Sequence, residues 1–482
     1  MTNMKQVLNK ISDIEWEIPK SFRNDMRVPA RIYASESMLE SIRQDRSLNQ
    51  LVNVSTLPGI QKAALVMPDV HEGYGFPIGG VAATKFPDGA ISPGGIGYDI
   101  NCGVRLLKSD KSVKDIYDYI ELLSKEVYKQ VPSGVGKSGF LNLGFKELDE
   151  VLSKGVPWAV KQGYGKEQDI EFIESNGTIP NANSDAVSNH AKERGCDQLG
   201  TMGAGNHFVE IDKVAKIFDE EISNAFGLFQ NQIVILIHTG SRGLGHQVAT
   251  DYIKIMLRAM QSYEINLPDR ELACVPFSSK EGKDYFGAMG AAANFAFTNR
   301  QLITWEVRQA WMNILGKNGG ELDILYDVAH NIAKVENHVI DGVKTKLIIH
   351  RKGATRAFAP GNDELPEKYK AFGQPVLIPG SMGTASYVLA GTQKSMDESF
   401  GSTCHGAGRQ MSRHAARKKV QGEMLRRDLL EKGIVVQAGS IRGIAEEAPV
   451  AYKDVHTVVD VVDRAGIAKK VAELKPLAVI KG

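Results

Sequence analysis

Cysteine is scarce in this chain, and its few cysteines are too far apart in sequence to suggest a disulfide framework. Among 482 residues there are four, Cys102, Cys196, Cys274 and Cys404, and none belongs to a CxxC pair. Small disulfide-stabilised folds are therefore excluded. Because this usage is typical of proteins kept in a reducing compartment, we expect a cytoplasmic location.

Long apolar runs are also missing. No stretch approaches the roughly 18 consecutive apolar residues of a membrane-spanning helix, so we expect no membrane partner. The N-terminus leads into a mixed polar segment and lacks the basic start and apolar core of a secretory signal, so no signal is expected either.

Neither sign of charge is in excess. Lys and Arg number 58 and Asp and Glu 57, which gives a formal net charge of +1. A nucleic-acid partner therefore cannot be argued from net charge and would require a local basic surface. The hydrophobic content of 43% is ordinary for a globular protein, and a chain of this length can bury a large core.

Two common nucleotide-binding motifs are absent. Residues 134–138 resemble the end of a P-loop, but Val131 stands where that motif requires glycine. The Gly-x-Gly pairs at 203–205, 243–245 and 406–408 each lack the third glycine of the dinucleotide fingerprint. Nucleotide binding, if present, must use another architecture.

Strand-like and helical segments alternate irregularly along the chain. β-Branched and apolar runs predict buried strands at 232–237, 346–350 and 375–378. Helical periodicity predicts helices at 288–314, 407–430 and 457–474. Because there is neither a regular βαβ repeat nor a shift in composition, we predict a single large α+β domain over residues 1–482, with buried β-sheets flanked by helices.

Side chains with metal-binding chemistry occur in glycine-rich turns and at the ends of predicted strands. They are Asp99, Cys102, His207, His238, His330 and His405. Asp99 and Cys102 are three residues apart, so one turn can direct both at one ion. A carboxylate, a thiolate and several imidazoles suit a divalent transition ion such as Mn or Zn, and a thiolate can bridge two ions in a site for phosphoryl chemistry.

Each of these residues also has a simpler explanation. A histidine at a strand end is commonly a hydrogen-bonded structural residue, and a free cysteine is usually a small buried hydrophobe. Glycine-rich turns bind phosphates through backbone N–H groups, but they are also ordinary tight turns. Ser381, Ser386 and Arg409 would add phosphate donors to such a site, or serve as turn caps and solvated side chains. The spacing does not show that these residues meet in space.

Several long strings resemble one family, the RtcB-type RNA ligases (tRNA-splicing ligases). The strings are residues 67–80, 92–105, 203–210, 238–245, 327–331, 350–354, 379–383 and 402–409. The resemblance extends from about residue 27 to the C-terminus, so it covers nearly the whole chain. Within the first string, Val70 and Glu72 stand where some members have other residues.

The resemblance implies a GTP-consuming, manganese-dependent RNA ligase for tRNA splicing and RNA repair. Its substrates would be RNA ends that carry a 3′-phosphate or 2′,3′-cyclic phosphate and RNA ends that carry a 5′-hydroxyl. His405 would attack the α-phosphate of GTP and carry GMP as a phosphoramidate. GMP would pass to the RNA 3′-phosphate, which the 5′-hydroxyl would then attack. An archease activator is a candidate partner.

The same resemblance implies the roles of individual residues. One Mn²⁺ ion would be held by Asp99, Cys102 and His207, and a second by Cys102, His238 and His330. Arg242, Arg351 and Lys352 would contact RNA phosphates. The GTP-binding positions would be Asn206, His207, Phe208, Val209, Glu210, His330, Asn331, Pro379, Gly380, Ser381, Met382, Ser386, His405, Gly406, Ala407, Gly408, Arg409, Tyr452 and Lys481.

Two other functions fit parts of the same pattern. A binuclear metal phosphohydrolase acting on nucleotides or RNA ends would use His405 only as a ligand. An RNA-binding module without chemistry would not require the intact set of metal-binding residues, and their presence argues against it.

Overall fold

The computed structural model describes residues 7–482. Its strands, in chain order, are β1 (Asn9–Lys10), β2 (Glu15–Ile18), β3 (Ala30–Tyr33), β4 (Ala64–His71), β5 (Ile78–Lys85), β6 (Ala90–Ile91), β7 (Gly103–Ser112), β8 (Phe208–Ile217), β9 (Gln232–Thr239), β10 (Val275–Pro276), β11 (Asp323–Ala329), β12 (Asn331–Ile340), β13 (Val343–Lys352), β14 (Ala354–Arg356), β15 (Pro375–Ile378), β16 (Ser386–Gly391), β17 (Ser402–Cys404), β18 (Val435–Ala438) and β19 (Ala468–Lys481).

The α-helices of the same residues lie between and around these strands. They are α1 (Glu36–Ile42), α2 (Ser47–Val54), α3 (Val113–Ile116), α4 (Ile120–Gln130), α5 (Phe145–Lys154), α6 (Val156–Lys161), α7 (Asn189–Glu193), α8 (Glu220–Phe226), α9 (Arg242–Ala259), α10 (Lys280–Leu315), α11 (Gln393–Ser399), α12 (Arg413–Lys419), α13 (Gly422–Glu431), α14 (Ile441–Glu446) and α15 (Val455–Ala465).

The larger sheet carries most of the core. Its strand order is β11-β7-β9-β8-β19-β16-β15, and β18 pairs in parallel with β19. Every residue of β9 is buried, as expected for a central strand covered on both faces. The 36-residue helix α10 packs against α4, α5, α6 and α9, and its alanines and glycines from 287 to 293 permit close approach. The predicted fold class, an α+β protein with buried sheets flanked by helices, is confirmed.

A second sheet has the order β1-β2-β3-β4-β5-β13-β12 and its own apolar core. Helices α2 and α15 cover this sheet by packing on β4. A short antiparallel pair, β14 and β17, follows β13 in the fold and leads directly to His405. No helix within residues 7–482 is both long and apolar enough to cross a membrane.

The three strands predicted at 232–237, 346–350 and 375–378 are confirmed as β9, part of β13 and β15, and the helix at 288–314 lies within α10. The single helix predicted at 407–430 is wrong. Residues 405–411 form an irregular loop, and the helical part is split into α12 and α13 at Val420, whose backbone is extended. That the whole of residues 1–482 forms one domain stays a prediction.

The helix predicted at 457–474 is wrong in its second half. Helix α15 ends at Ala465, where Gly466 adopts a left-handed conformation with φ 71°. Residues 468–481 then form β19, which pairs with β8 on one side and β16 on the other. Pairing to two neighbouring strands, a long-range effect, overrides the local helical pattern.

Candidate metal centre and nucleotide pocket

Four adjacent strands bring the candidate metal ligands to one edge of the larger sheet. The strands β11, β7, β9 and β8 are antiparallel neighbours, so the start of one lies beside the end of the next. Cys102 precedes β7, His207 precedes β8, His238 is near the end of β9, and His330 follows β11. Residues more than 200 positions apart in sequence therefore converge.

Asp99, Cys102 and His207 form the first group of ligand atoms. Nε2 of His207 lies 2.9 Å from Oδ2 of Asp99 and 3.5 Å from Sγ of Cys102. On the other side of the ring, Nδ1 of His207 lies 3.0 Å from the carbonyl oxygen of Met202. Because a carbonyl only accepts, Nδ1 carries the hydrogen of the neutral ring and Nε2 presents a lone pair to the group.

Cys102 also belongs to a second group with His238 and His330. Its Sγ lies 3.3 Å from Nε2 of His238, and the rings of His238 and His330 are 5.1 Å apart between centroids. In each group the ligand atoms lie within 4.8 Å of one another. Because the single sulfur is common to both groups, the geometry fits two ions that share one thiolate ligand.

The protonation of these ligands suits a bound cation. Burial lowers the pKa of both His238 and His330 well below the usual value, so both rings are neutral at pH 7. Burial and the Asp99 carboxylate raise the pKa of the Cys102 thiol well above its usual value, so an incoming cation must displace that proton. Although burial opposes it, the interactions with His207, Cys102 and Arg242 lower the pKa of Asp99 to about 2, so this group is an ionised carboxylate. The donor set therefore fits a divalent transition metal.

His405 lies beside this cluster and is oriented by a buried carboxylate. Its ring centroid is 4.9 Å from that of His330. Its Nδ1 lies 2.5 Å from Oδ2 of Asp69, and the same oxygen accepts hydrogen bonds from the backbone N–H groups of His405 at 2.9 Å and Gly406 at 3.3 Å. Burial alone would raise the pKa of Asp69, but its interactions with His405 hold it below the usual value. An ionised Asp69 only accepts, so in the neutral ring Nδ1–H donates to it and Nε2 is free to act.

A cavity of about 450 Å³ joins His405 to the metal ligands. Most of the positions expected to bind GTP line it, namely Asn206, Phe208, His330, Asn331, Pro379, Gly380, Ser381, Met382, His405, Gly406, Ala407, Gly408, Arg409, Tyr452 and Lys481. Of the expected metal ligands, Asp99, Cys102, His238 and His330 also line the cavity. His207 does not line it, but its ring contacts Cys102.

Three expected GTP-binding residues besides His207 lie behind the wall of this cavity. Val209 is fully buried within β8. Ser386 accepts a hydrogen bond from the backbone N–H of Gly380 at 3.0 Å, so it shapes the loop that faces the cavity. Glu210 is buried, and burial together with the neighbouring Asp212 carboxyl raises its pKa. Lys481 partly offsets this effect through its charge.

A network of ionic side chains forms one wall of the cavity. The guanidinium of Arg409 donates to Oε2 of Glu447 at 3.0 Å and to the hydroxyl of Tyr452 at 3.0 Å, and it lies 4.9 Å from the centre of the Tyr452 ring. Arg413 donates to the other oxygen of Glu447 at 3.0 Å. The Tyr452 hydroxyl also donates to Glu447. Glu447 therefore holds two arginines and the aromatic ring in place.

The three expected RNA-binding residues occupy different environments. Lys352 lines the cavity, but its ammonium donates to the carbonyl oxygens of Tyr74 and Gly94, and burial lowers its pKa to about 7. Arg242 begins α9 and donates from Nε to the hydroxyl of Thr201 at 3.1 Å.

Arg351 is fully buried and lies away from the cavity. Its guanidinium donates to both carboxylate oxygens of Glu336, at 2.6 and 2.9 Å, and to the Ser402 hydroxyl at 2.8 Å. Such a side chain joins β12, β13 and β17 and has no free donor group at the surface. These contacts give Arg351 a structural role, and its expected contact with RNA stays a prediction.

Several residues of the site are not among those predicted from the sequence. Asp69 is the most important of them. The sequence feature that could have identified it is a carboxylate inside the apolar strand segment 65–70, because an acid is rarely buried without a partner. Glu447 and Arg413 also line the cavity, but no motif marks them. His71 lines it as well, with Nδ1 2.9 Å from the carbonyl oxygen of Asp69.

Comparisons with a family model and with individual proteins indicate the same family. Residues 50–482 match the family model described as tRNA-splicing ligase RtcB. The chain is 54% identical over 477 residues to the tRNA-splicing ligase RtcB of Thermococcus kodakarensis, covering 98% of this chain and 99% of that protein. It is 53% identical over 482 residues to the protein of the same name from Archaeoglobus fulgidus, covering all of both chains. The counterpart from Methanococcus maripaludis is 50% identical over 481 residues, 99% of this chain and 100% of that protein.

Proposed function

Because this chain belongs to the tRNA-splicing ligase RtcB family, we propose that it is an RNA ligase that consumes GTP and depends on manganese. It joins RNA ends bearing a 3′-phosphate or 2′,3′-cyclic phosphate to ends bearing a 5′-hydroxyl. A histidine–GMP intermediate on His405 links GTP cleavage to RNA joining. The role in tRNA splicing and RNA repair, the cytoplasmic location and the archease partner belong to the same proposal.

The observation that carries this proposal is the environment of His405. Its Nδ1 lies 2.5 Å from the Asp69 carboxylate, and its ring is 4.9 Å from His330 of the metal cluster. A neutral imidazole whose Nδ1–H is held by a carboxylate presents the Nε2 lone pair, which makes it a competent nucleophile. A metal-ligating histidine commonly has the same kind of partner on its far nitrogen. What favours a nucleophile here is that His405 belongs to neither of the two ligand groups found within residues 7–482.

The metal ligands are the two groups that share Cys102. Asp99, Cys102 and His207 would hold one Mn²⁺ ion, and Cys102, His238 and His330 a second. When bound, such ions supply positive charge that stabilises the phosphates and the departing pyrophosphate. The mixed oxygen, nitrogen and sulfur donors support a transition ion in preference to magnesium.

The reaction then proceeds in three displacements. Nε2 of His405 attacks the α-phosphorus of GTP, forming a P–N bond while the bond to the β-phosphate oxygen breaks and pyrophosphate leaves. An oxygen of the RNA 3′-phosphate attacks the same phosphorus, and the P–N bond breaks. The 5′-hydroxyl oxygen attacks the RNA phosphorus, loses its proton, and releases GMP. A 2′,3′-cyclic phosphate is first opened by water to a 3′-phosphate.

The cavity wall supports guanosine recognition near His405. Tyr452 offers an aromatic face, held by Arg409 and Glu447, on which a base can stack. The glycine-rich segments 379–382 and 405–408 line the cavity, and their glycines leave room for a phosphate close to the backbone. We propose that Arg242 and Lys352 contact RNA phosphates.

A labelling experiment tests this function directly. The protein is incubated with Mn²⁺ and α-³²P-labelled GTP, denatured, and separated by electrophoresis. We expect label that remains with the protein, is released by acid as expected for a P–N bond, and is lost in His405→Ala. His190→Ala, a change at an exposed histidine of α7, is the matched control and should label normally.

The phosphohydrolase alternative gives a different result in the same assay. A hydrolase would release phosphate or nucleotide without covalent label, and His405→Ala would then act only by weakening metal binding. An absence of protein-bound GMP in a metal-loaded, folded preparation would therefore overturn the proposal.

A further inference from the structure

Three aromatic rings form a row at the mouth of the cavity. The ring centroids of Tyr74 and Tyr98 are 5.4 Å apart with an interplanar angle of 58°, and those of Tyr98 and His246 are 4.8 Å apart with an angle of 23°. Both distances fall within the range of aromatic pair contacts, the first pair being tilted and the second stacked. We call Tyr74, Tyr98 and His246 the aromatic row.

The aromatic row is continuous with the reaction site. Tyr98 immediately precedes the metal ligand Asp99, and both tyrosines line the cavity that contains His405. His246 lies further out, on the first turns of α9. The row therefore leads from the reacting groups towards the surface.

The two tyrosines are not packed like the core tyrosines of this protein. Tyr74 and Tyr98 are half-buried, His246 is exposed, and within residues 7–482 neither phenol hydroxyl has a hydrogen-bond partner. By contrast, buried Tyr369 donates its hydroxyl hydrogen to the carbonyl oxygen of Leu325 at 2.9 Å. Aromatic surface that is stacked but left open beside a catalytic cavity is available to a ligand.

The backbone beneath the aromatic row is held rigidly. One ammonium, that of Lys352, donates to the carbonyl oxygens of both Tyr74 and Gly94, which joins the two segments that carry the tyrosines. The backbone N–H of Gly75 donates to Oε2 of Glu271 at 2.9 Å, which fixes the first segment from its other side. A surface fixed in this way loses little conformational freedom when a flat ligand binds.

We propose that the aromatic row is a binding subsite for an unpaired nucleobase next to an RNA end held at the reaction site. The proposal rests on the proposed RNA ligase function, which supplies a polymer of bases at this cavity. All four bases present a flat π-face, so the subsite accepts any of them and selects for single-stranded ends. The contribution expected for one stacked base is about 5- to 100-fold in apparent affinity.

Kinetics with an abasic substrate test the contact. Tyr98→Leu removes the ring, and Tyr98→Phe keeps it. With intact RNA ends, Tyr98→Leu should raise KM by about 5- to 100-fold while Tyr98→Phe stays close to wild type. With RNA that lacks the base of the terminal nucleotide, wild type and Tyr98→Leu should have similar KM values. Tyr117→Leu, at an exposed tyrosine outside the cavity, is the matched control.

A binding measurement separates this inference from the proposed reaction. Short RNAs carry 2-aminopurine at the 3′-phosphate end or at the 5′-hydroxyl end, and stacking on an aromatic ring quenches its fluorescence. Quenching at either end by wild type and its loss in Tyr98→Leu would support the subsite, even in His405→Ala, which forms no GMP adduct. Equal effects of Tyr98→Leu on intact and abasic RNA, or quenching that persists in Tyr98→Leu, would overturn it. Failure of GTP labelling, in contrast, would overturn the ligase proposal.

Discussion

The Nδ1 atom of His405 lies 2.5 Å from Oδ2 of Asp69, although the two residues are 336 positions apart in the chain. The same carboxylate oxygen accepts from the backbone of the loop that carries His405. The loop can approach this closely only because residue 408 is glycine with φ +73°, where a Cβ would lie 2.1 Å from the Asp69 carbonyl oxygen. One buried carboxylate thus orients both the imidazole and its loop.

Replacing this carboxylate by an amide should impair the first chemical step. In Asp69→Asn the amide can donate to Nδ1, which moves the ring hydrogen to Nε2 and removes the attacking lone pair. We expect the rate of GMP attachment to fall by a factor on the order of 10²–10⁴, by analogy with the amide replacement that disturbs the histidine of serine proteases. Asp363→Asn, with an almost fully exposed side chain, is the control. Attachment within about twofold of wild type, in a folded Asp69→Asn protein, would show that Asp69 does not set the tautomer.

Cys102 is the ligand that both metal groups share, so its loss should affect both. We expect Cys102→Ala to lose most of its bound metal after dialysis. Metal binding by Cys102→Ser should also be strongly weakened, because a hydroxyl is a poor substitute for a thiolate. Metal content per chain can be measured by plasma mass spectrometry. Cys274→Ala is the matched control, since Cys274 is equally buried but lies outside both groups. Near-normal metal content in either Cys102 variant would remove it as the shared ligand.

Arg300 should control metal affinity through the backbone of the ligand loops. It is fully buried and forms two hydrogen bonds of 2.9 Å to Asp327. It also donates to the carbonyl oxygens of Asn101 at 2.8 Å and Thr239 at 3.0 Å, the residues next to Cys102 and His238. Arg300→Lys loses this forked geometry, and we expect the metal dissociation constant to rise by about 10- to 100-fold in a calorimetric titration.

Arg105 provides the control for a purely structural effect. It is also fully buried and donates to Asp327 at 2.7 Å, but its other contacts are Gln301 and Thr304, not the ligand loops. Both lysine variants should lower the free energy of unfolding, by roughly 3 kcal/mol. Only Arg300→Lys should weaken metal binding. Equal losses of metal affinity in the two variants would mean that Arg300 acts through general stability.

Glu306 should make stability decrease with rising pH. It lies on α10 with 2% exposure, and burial raises its pKa from 4.5 to about 9. Between these values the folded chain keeps a proton that the unfolded chain has released, so the free energy of unfolding falls by about 1.4 kcal/mol per pH unit from this group. The stability advantage of protonation is present below pH 4.5 and is lost as the pH rises toward 9.

Denaturant unfolding at about pH 5 and pH 8 measures this effect. The glutamine in Glu306→Gln cannot titrate. Between these two pH values the free energy of unfolding of the variant should therefore fall by about 4 kcal/mol less than that of wild type. Glu321→Gln, whose side chain is 72% exposed, should follow the wild type. Parallel pH profiles of wild type and Glu306→Gln would contradict the assignment.

The sequence by itself determined those helices and strands that their own residue pattern indicates, without knowledge of the neighbouring elements. The nearly continuous β-branched run at 232–237 indicated a buried strand, and the alanine-rich stretch at 288–314 indicated a long helix. The long motifs around Asp99, His207 and His405 were sufficient to indicate the family. They also indicated candidate metal ligands by residue type, but not whether these residues meet in space.

Tertiary structure alone decided which side chains meet. The antiparallel order β11-β7-β9-β8 gathers Cys102, His207, His238 and His330, and no spacing along the chain reveals strand order. The same limitation applies to segment 468–481, which is a strand because β8 and β16 pair with it. It applies equally to Asp69 and Arg351, whose roles follow from contacts with residues far along the chain. Local pattern sets what a segment can form, whereas long-range pairing and burial select among those possibilities and assemble the site.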